Sequence, residues 1–186
     1  ETRETLLAVF DSVDQASCSV GDIIREGIVP GAIEMMDALI TQAVEEAYHF
    51  GFPLDAGAIL IVELDGHQEQ VLSESEKTQS ICRANGVREV RRAETTQQRA
   101  ELWKSRKRAF GAIGRISPNY LTQDGVVPRS RLPDIMNYIS EVSKACNLRI
   151  CNVFHAGDGN IHPLILFDER DPPIKSSEPS KRERTF

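Results

Sequence analysis

Two histidines, His155 and His162, have the residue type and the spacing to act together on a metal ion or on a substrate proton. They flank a Gly-Asp-Gly-Asn turn, and apolar runs typical of β-strands lie on either side, at residues 150–154 and 161–167. A hairpin with this turn would bring the imidazoles near each other, since facing Cβ atoms of a ladder are about 5 Å apart. Both rings can then reach one divalent metal. The spacing is also compatible with two merely exposed histidines beside a tight turn, so both interpretations stay open.

The turn between the histidines carries its own expectations. Gly157 and Gly159 are expected to adopt positive φ and to leave the backbone open to a ligand. Asp158 and Asn160 have short polar side chains that bond nearby backbone groups, and we expect a structural role of that kind for both.

A second candidate is Arg106, which lies on the apolar stripe of a predicted helix over residues 95–116. Leu102, Phe110 and Ile113 recur with it at helical spacing. A guanidinium on an apolar face needs an acidic partner or a route to water, and the pattern alone favours such a structural arginine. The functional alternative is bidentate capture of a substrate carboxylate, for which the planar guanidinium is suited.

Thr122 and Asp124 lie where a predicted strand runs into a loop. We expect both to line the same pocket, with Thr122 as a substrate-binding residue. For Asp124, followed by Gly125, a plain turn role is an equally good interpretation.

Alternating strand-like and helix-like segments must position these residues. Strands are predicted at residues 6–10, 58–64 and 87–93, the last as an edge strand, in addition to the two arms of the hairpin. Helices are predicted at residues 14–26, 33–48, 68–85, 95–116 and 132–146. This order favours an α+β fold that is ferredoxin-like, with an antiparallel sheet and helices packed on one face. Residues 1–171 are assigned to one domain, and the proline- and serine-rich residues 172–186 to a disordered tail.

Length and composition exclude several classes of function. The chain has 186 residues, enough for a real core, and its net charge of −6 argues against a nucleic acid partner. No run of 18 apolar residues occurs, and the polar first residues give no reason to expect a leader sequence. Cys18, Cys82, Cys146 and Cys151 form no CxxC pair, so we expect buried thiols in a reducing, cytoplasmic compartment and regard disulfides as less favoured.

The motif His-x-Gly-Asp-Gly-Asn-x-His, which runs from His155 to His162, resembles the signature of the C-terminal domain of FAD-linked 2-hydroxy acid oxidoreductases of the glycolate oxidase and D-lactate dehydrogenase type. Three earlier segments support the resemblance in the same order along the chain. They are Leu-Trp-Lys-Ser-Arg-Lys-Arg-Ala-Phe at 102–110, Gly-Arg-Ile-Ser-Pro at 114–118 and Asp-Gly-Val-Val-Pro at 124–128. The resemblance covers most of residues 1–168.

The resemblance implies a role for each candidate residue. Arg106 would hold the carboxylate of a small 2-hydroxy acid, and His155 and His162 would bind a divalent metal such as Zn²⁺ or Mn²⁺. One of the histidines would instead be the catalytic base if it is not a metal ligand, and the sequence does not separate these roles. The cap domain of the family is also built on a ferredoxin-like plan.

The resemblance further implies that FAD belongs to the full-length enzyme and is not bound by this chain alone. Neither GxGxxG nor GxxxxGK[ST] occurs, and the family holds its flavin in a separate upstream domain. The family's additional metal ligand, in a Glu-His-Gly sequence downstream of the histidine motif, does not occur either. We therefore expect a fragment, or the product of a truncated gene, that is inactive alone.

The partners implied by resemblance are the FAD-binding domain, an iron-sulfur subunit and a small 2-hydroxy acid, in a complex that could lie peripheral to the membrane. The alternative is a free-standing ferredoxin-like module that binds a metal or another ligand for regulation.

Overall fold

Residues 2–170 are described by a computed structural model, in which nine strands form an antiparallel sheet. The strands are β1 (Thr2–Phe10), β2 (Ala32–Asp37), β3 (Ala58–Gly66), β4 (Glu89–Arg92), β5 (Asn119–Thr122), β6 (Gly125–Val126), β7 (Arg149–His155), β8 (Asn160–Ile161) and β9 (Pro163–Phe167). The helices are α1 (Val13–Arg25), α2 (Ala38–Tyr48), α3 (Gln68–Ala84), α4 (Thr96–Ile113) and α5 (Leu132–Ala145). The tail predicted for residues 172–186 lies outside the described residues.

The order of the strands confirms the α+β class and the ferredoxin-like plan. β4, β1, β3 and β2 are neighbours in that order and pair antiparallel, as in a ferredoxin-like sheet. β7 then pairs with β2 and extends the sheet on that side. β8 and β9 are two segments of the strand that returns from the hairpin, and they pair in turn with β6 and β5.

Helices cover both faces of this sheet, so the expectation that they pack on one face is wrong. α1, α3 and α5 share one core with residues such as Leu6 and Phe154. α2 and α4 share a second core with Leu7 and Met36 on the opposite face. The physical reason is in the central strands, whose apolar runs do not alternate with polar residues and so bury both faces.

The helix predicted over residues 33–48 is wrong in its first part, which forms β2. Ile33, Met36 and Ile40 fit helical spacing, but Ile33 and Met36 lie on opposite faces of the sheet. The helix begins only after Asp37, whose side chain accepts a hydrogen bond from the backbone N–H of Ile40. α1 likewise begins at the cap Ser12 and not at Asp14, since the Ser12 hydroxyl accepts from the N–H of Gln15.

The two edges of the sheet differ in character. β4 carries Glu89, Arg91 and Arg92, which form ion pairs, and it confirms the predicted edge strand. At the other edge, β5 exposes Tyr120 and Leu121, and Val126 of β6 is also exposed.

The four cysteines are free thiols, as expected, but only Cys82 and Cys151 are buried. Burial raises the pKa of Cys82 to about 11 and that of Cys151 to about 12. Cys18 is half-buried and Cys146 is exposed. Among residues 2–170, no helix is both long and apolar enough to cross a bilayer.

Candidate functional site

The hairpin of β7, β8 and β9 brings His155 and His162 together. His155 pairs with Asn160 across the ladder, and His162 follows directly after β8. The two ring centroids are 5.4 Å apart and the rings are nearly perpendicular, at 89°. The proximity that the spacing predicts is therefore present, whereas the roles of the two residues stay predictions.

Each imidazole has a carboxylate beside its Nδ1 atom. Nδ1 of His155 is 2.6 Å from Oε1 of Glu34, and Nδ1 of His162 is 3.4 Å from Oδ1 of Asp124. The hydrogen bond to Glu34 holds a proton on Nδ1 of His155, and in the neutral imidazole it leaves Nε2 with a free lone pair. This is the tautomer that a metal ligand or a general base needs.

Arg106 forms a buried ion pair with Glu34. Nε of Arg106 donates to Oε2 of Glu34 over 2.9 Å, and the two side chains are only 10% and 9% exposed. Arg106 therefore has the acidic partner that the structural interpretation of this residue requires. Its terminal nitrogens make no hydrogen bond to another residue within 2–170, so a second carboxylate can still be bound end-on.

A second, half-buried carboxylate, Glu63, anchors α4 and so fixes where Arg106 lies. Glu63 of β3 accepts hydrogen bonds from Arg99 at 2.8 Å, from Trp103 at 2.6 Å and from Thr5 at 3.1 Å. Burial alone would raise the pKa of Glu63, but these hydrogen bonds lower it below its usual value. The helix therefore meets the sheet through two carboxylates, Glu63 and Glu34.

Thr122 is exposed at the end of β5, paired with Leu164. No hydrogen bond joins it to His155, His162 or Arg106 in the described part of the chain. The structure thus brings together the histidines and, through Glu34, Arg106, and it leaves Thr122 on the neighbouring strand.

The turn differs in part from expectation. Gly159 has positive φ, at 71°, but Gly157 does not. Asp158 is exposed, and neither it nor Asn160 bonds the local backbone through its side chain. Oδ1 of Asn160 is buried and has no hydrogen-bond partner among residues 2–170. An unsatisfied acceptor at this depth favours a donor group from a ligand or water.

A pocket of about 220 Å³ opens beside His155, and neither His162 nor Arg106 lines it. Its lining includes Glu34, His155, Asp158 and Arg129, with Ile33 as part of an apolar wall. Its size suits a small molecule of a few heavy atoms, and Arg129 adds a positive charge at the surface.

The donor set fits a metal ion incompletely. Two Nε2 atoms supply two nitrogen ligands of the kind that zinc accepts, but zinc takes four in most proteins. No group of three or more histidine, cysteine or acidic side chains with metal-binding geometry occurs within residues 2–170. A metal would therefore need ligands from water, substrate or residues outside this range.

Sequence reasoning missed Glu34, although a signal was present. A glutamate in the apolar stretch Ala-Ile-Glu-Met-Met of residues 32–36 is unusual for a strand buried on both faces. A helix over this stretch would place Glu34 on a solvated side. The wrong prediction of a helix therefore gave no reason to consider Glu34 as a buried site residue.

A model of the family described as "FAD linked oxidases, C-terminal domain" matches residues 1–183. The chain belongs to this family. The structural arrangement agrees, since the hairpin, α4 and β2 place the family-like motif and Arg106 at one site.

Curated relatives support the assignment. The glycolate oxidase subunit GlcD of Escherichia coli (strain K12) is 50% identical over 167 residues, which is 90% of this chain and 34% of that protein. GlcD of Bacillus subtilis (strain 168) is 34% identical over 92% of this chain and 36% of its own length. The D-lactate dehydrogenase [cytochrome] of Arabidopsis thaliana is 28% identical over 94% of this chain and 30% of its own length. The chain spans about a third of the length of these relatives.

Solved structures share the fold at low sequence identity. Alkyldihydroxyacetonephosphate synthase aligns with a TM-score of 0.64 and 14% identity, over 91% of this chain and 37% of that one. Substrate-bound p-cresol methylhydroxylase aligns with a TM-score of 0.62 and 12% identity, over 91% of this chain and 40% of that one.

Proposed function

We propose that this chain forms the substrate-binding part of an FAD-dependent oxidoreductase that acts on a small 2-hydroxy acid such as glycolate or D-lactate. The observation that carries the proposal is the contact of His155 and Arg106 with one carboxylate, Glu34, with His162 beside His155, in a member of this family. The names of the relatives supply the substrate class. A free-standing regulatory module is not favoured, since the family match extends over nearly the whole chain.

In this proposal Arg106 binds the substrate carboxylate. Its Nε is engaged by Glu34, and the two terminal nitrogens are left to bind a carboxylate end-on. Burial strengthens such a pair relative to one in water, because competing water is excluded. Thr122, on the strand next to β9, would contact the substrate from the other side of the hairpin.

The two histidines act on the substrate hydroxyl group. Nε2 of His155 and Nε2 of His162 would hold a divalent ion such as Zn²⁺ or Mn²⁺, with the remaining ligands from outside the described residues. Such an ion would lower the pKa of a bound hydroxyl group and orient it. A histidine not used as a ligand would take the hydroxyl proton at Nε2 as a general base.

The oxidant is supplied elsewhere in the full-length enzyme. FAD would accept the hydride that leaves the α-carbon of the substrate, and we assign it to the part of the enzyme that corresponds to the other two thirds of the relatives. An iron-sulfur subunit is a further partner. Free cysteines suit a reducing compartment, which supports a cytoplasmic enzyme. Peripheral membrane association of the whole complex is a further part of the proposal.

A chimeric enzyme tests the proposal directly. The homologous third of E. coli GlcD is replaced by this chain, at 50% identity, and dye reduction with glycolate and with D-lactate is measured beside flavin content. The chimera should turn over one of these substrates. His155→Ala, His162→Ala and Arg106→Met should each lower turnover by about 100-fold or more with flavin content unchanged.

Matched controls are available at exposed positions outside the site. His67→Ala removes an exposed histidine, and Lys107→Ala removes an exposed cation next to Arg106 on α4. Both controls should keep full turnover. Undiminished turnover in the three site variants would refute the proposal, and loss of flavin from them would assign the motif to cofactor binding or folding instead.

A further inference from the structure

Glu34 contacts both His155 and Arg106, the two residues that the proposed function places against the substrate. Oε1 lies 2.6 Å from Nδ1 of His155, and Oε2 lies 2.9 Å from Nε of Arg106. The three residues lie on three separate elements, β2, β7 and α4. We propose that Glu34 is a positioning residue that fixes the imidazole and the guanidinium relative to each other, an inference that rests on the proposed function.

The sheet register explains why Glu34 can do this. Glu34 and His155 are direct cross-strand partners between β2 and β7, so their side chains leave the same face of the sheet. α4 packs on that face and carries Arg106 to the same point. A shift of the β2–β7 pairing by one residue would turn Glu34 to the other face.

Burial makes the arrangement rigid. The Glu34 side chain is only 9% exposed, so little water is available to replace a lost partner. A buried carboxylate that loses one partner carries a large penalty, and this opposes rotation of either neighbour away from it.

The contact sets the chemical state of both neighbours. Because an ionised carboxylate only accepts hydrogen bonds, Nδ1 of His155 must carry a proton, and in the neutral imidazole Nε2 is then the free nitrogen. Because Nε of Arg106 is occupied, only its terminal nitrogens are left for a substrate carboxylate. Asp124, beside His162, cannot act with equal force, since it is 72% exposed and 3.4 Å away.

The tautomer of His155 tests the proposal without any turnover assay. In the 186-residue chain labelled with ¹⁵N in histidine, long-range ¹H–¹⁵N correlation spectra at about pH 8.5 distinguish Nδ1–H from Nε2–H, since free imidazole is neutral there. His155 should be in the Nδ1–H form. Glu34→Gln should shift it toward the mixed tautomers of free imidazole, because one amide cannot accept from both neighbours. Asp124→Asn, the matched control, should leave His155 unchanged.

A second variant keeps the test decisive if Glu34→Gln fails to fold. Arg106→Met removes the other partner but keeps the Glu34–His155 contact, so the Nδ1–H form should persist. Loss of that form in Arg106→Met, or its persistence in folded Glu34→Gln, would overturn the proposal.

The chimeric enzyme then separates this inference from the proposed function. There Glu34→Gln should lower kcat/KM by about 10–100-fold, as for other residues that orient a ligand histidine, with both KM and kcat affected. An inactive parent chimera combined with the expected tautomer change would refute the proposed function alone. An active chimera whose kcat/KM is unchanged by Glu34→Gln would refute the positioning role alone.

Discussion

Two buried carboxylates lie on β2, and they are stabilised by different partners. Glu34 contacts a guanidinium and an imidazole, whereas Asp37 accepts hydrogen bonds only from neutral groups. These are the N–H of Ile40 and both the N–H and the side-chain amide of Asn152. Burial raises the pKa of Asp37 to about 6, although these hydrogen bonds oppose the rise.

Asp37 should make the stability of the protein depend on pH. Its folded-state pKa of about 6 lies above the ordinary value of 3.8, so the folded chain binds the proton more tightly. The free energy of unfolding should therefore fall as pH rises from about 4 to about 6, by about 3 kcal/mol, and then level off. Urea unfolding at a series of pH values should show this fall in the native chain and not in Asp37→Asn.

The matched control for Asp37 is Asp14→Asn, the same substitution at an exposed carboxylate in the first turn of α1. Asp37→Asn also loses a hydrogen bond, but that loss is the same at each pH and leaves the difference in slope intact. Parallel pH profiles for the native chain and Asp37→Asn would contradict the assignment.

The histidine pair should bind Zn²⁺ weakly in the isolated chain. Two imidazoles supply half of a usual ligand set, and water must fill the rest. Titration calorimetry should detect binding to the native chain that His155→Ala and His162→Ala each abolish. His67→Ala is the control, and equal uptake by all four proteins would remove the pair from the site.

At the residue scale, the sequence predicted His155, His162 and Arg106 because each stands out from its neighbours by type and spacing. It did not predict that Glu34 joins them, since a contact between positions 34, 106 and 155 depends on strand register. Register is a property of the folded sheet and has no local signature in β2.

At the scale of elements, a continuous apolar run and a helical stripe were hard to distinguish. β3, α3 and α5 were predicted within two residues of their observed bounds, whereas β1 begins four residues before its predicted start. β2 was not predicted, since Met35 and Met36 suit either a helix or a strand, and only Asp37, a good N-cap, marked the change. Short strands such as β6 and β8 have too few residues for a periodic pattern.

The turn of the hairpin should tolerate alanine at one glycine and not at the other. Gly159 has φ of 71°, and a Cβ there would lie 2.1 Å from the carbonyl oxygen of Val127. Gly159→Ala should lower the free energy of unfolding by about 1–3 kcal/mol. The amide of Val127, which donates to the Gly159 carbonyl, should also exchange faster with solvent.

Gly157→Ala is the matched control in the same turn. Its φ is not positive, and its Cβ would meet the nitrogen of Ile33 at 3.3 Å, a tight contact that a small shift relieves. Chemical denaturation should therefore show a smaller loss than for Gly159→Ala. An equal or larger loss would mean that backbone conformation is not what limits the turn.

At the scale of the whole molecule, the sheet is an inner layer between two layers of helices. The sequence indicated the ferredoxin-like plan, because the alternation of strands and helices survives the error at β2. The sequence analysis did not predict the second layer of helices. The unbroken apolar runs of β1 and β3 were nevertheless compatible only with burial on both faces of the sheet.

Neighbouring leucines of β1 test the two-layer arrangement. Leu6 and Leu7 point to opposite faces and are both fully buried, at 1% and 0% exposed. Leu6→Ala and Leu7→Ala should each lower the free energy of unfolding by about 2–5 kcal/mol. The exposed Leu72 provides the control, and Leu72→Ala should have little effect. A sheet covered on one face would instead show one large loss and one small loss.

The unequal edges of the sheet limit how copies of this chain can associate. The β4 edge carries charged residues that discourage another strand, whereas β5 presents Tyr120 and Leu121. Fibres grow when one edge of each molecule accepts the opposite edge of the next. Here strand addition through β5 would join two copies about a twofold axis and leave only β4 edges facing outward. Assembly by this route would end at a dimer, so the exposed apolar edge does not by itself lead to an open-ended polymer.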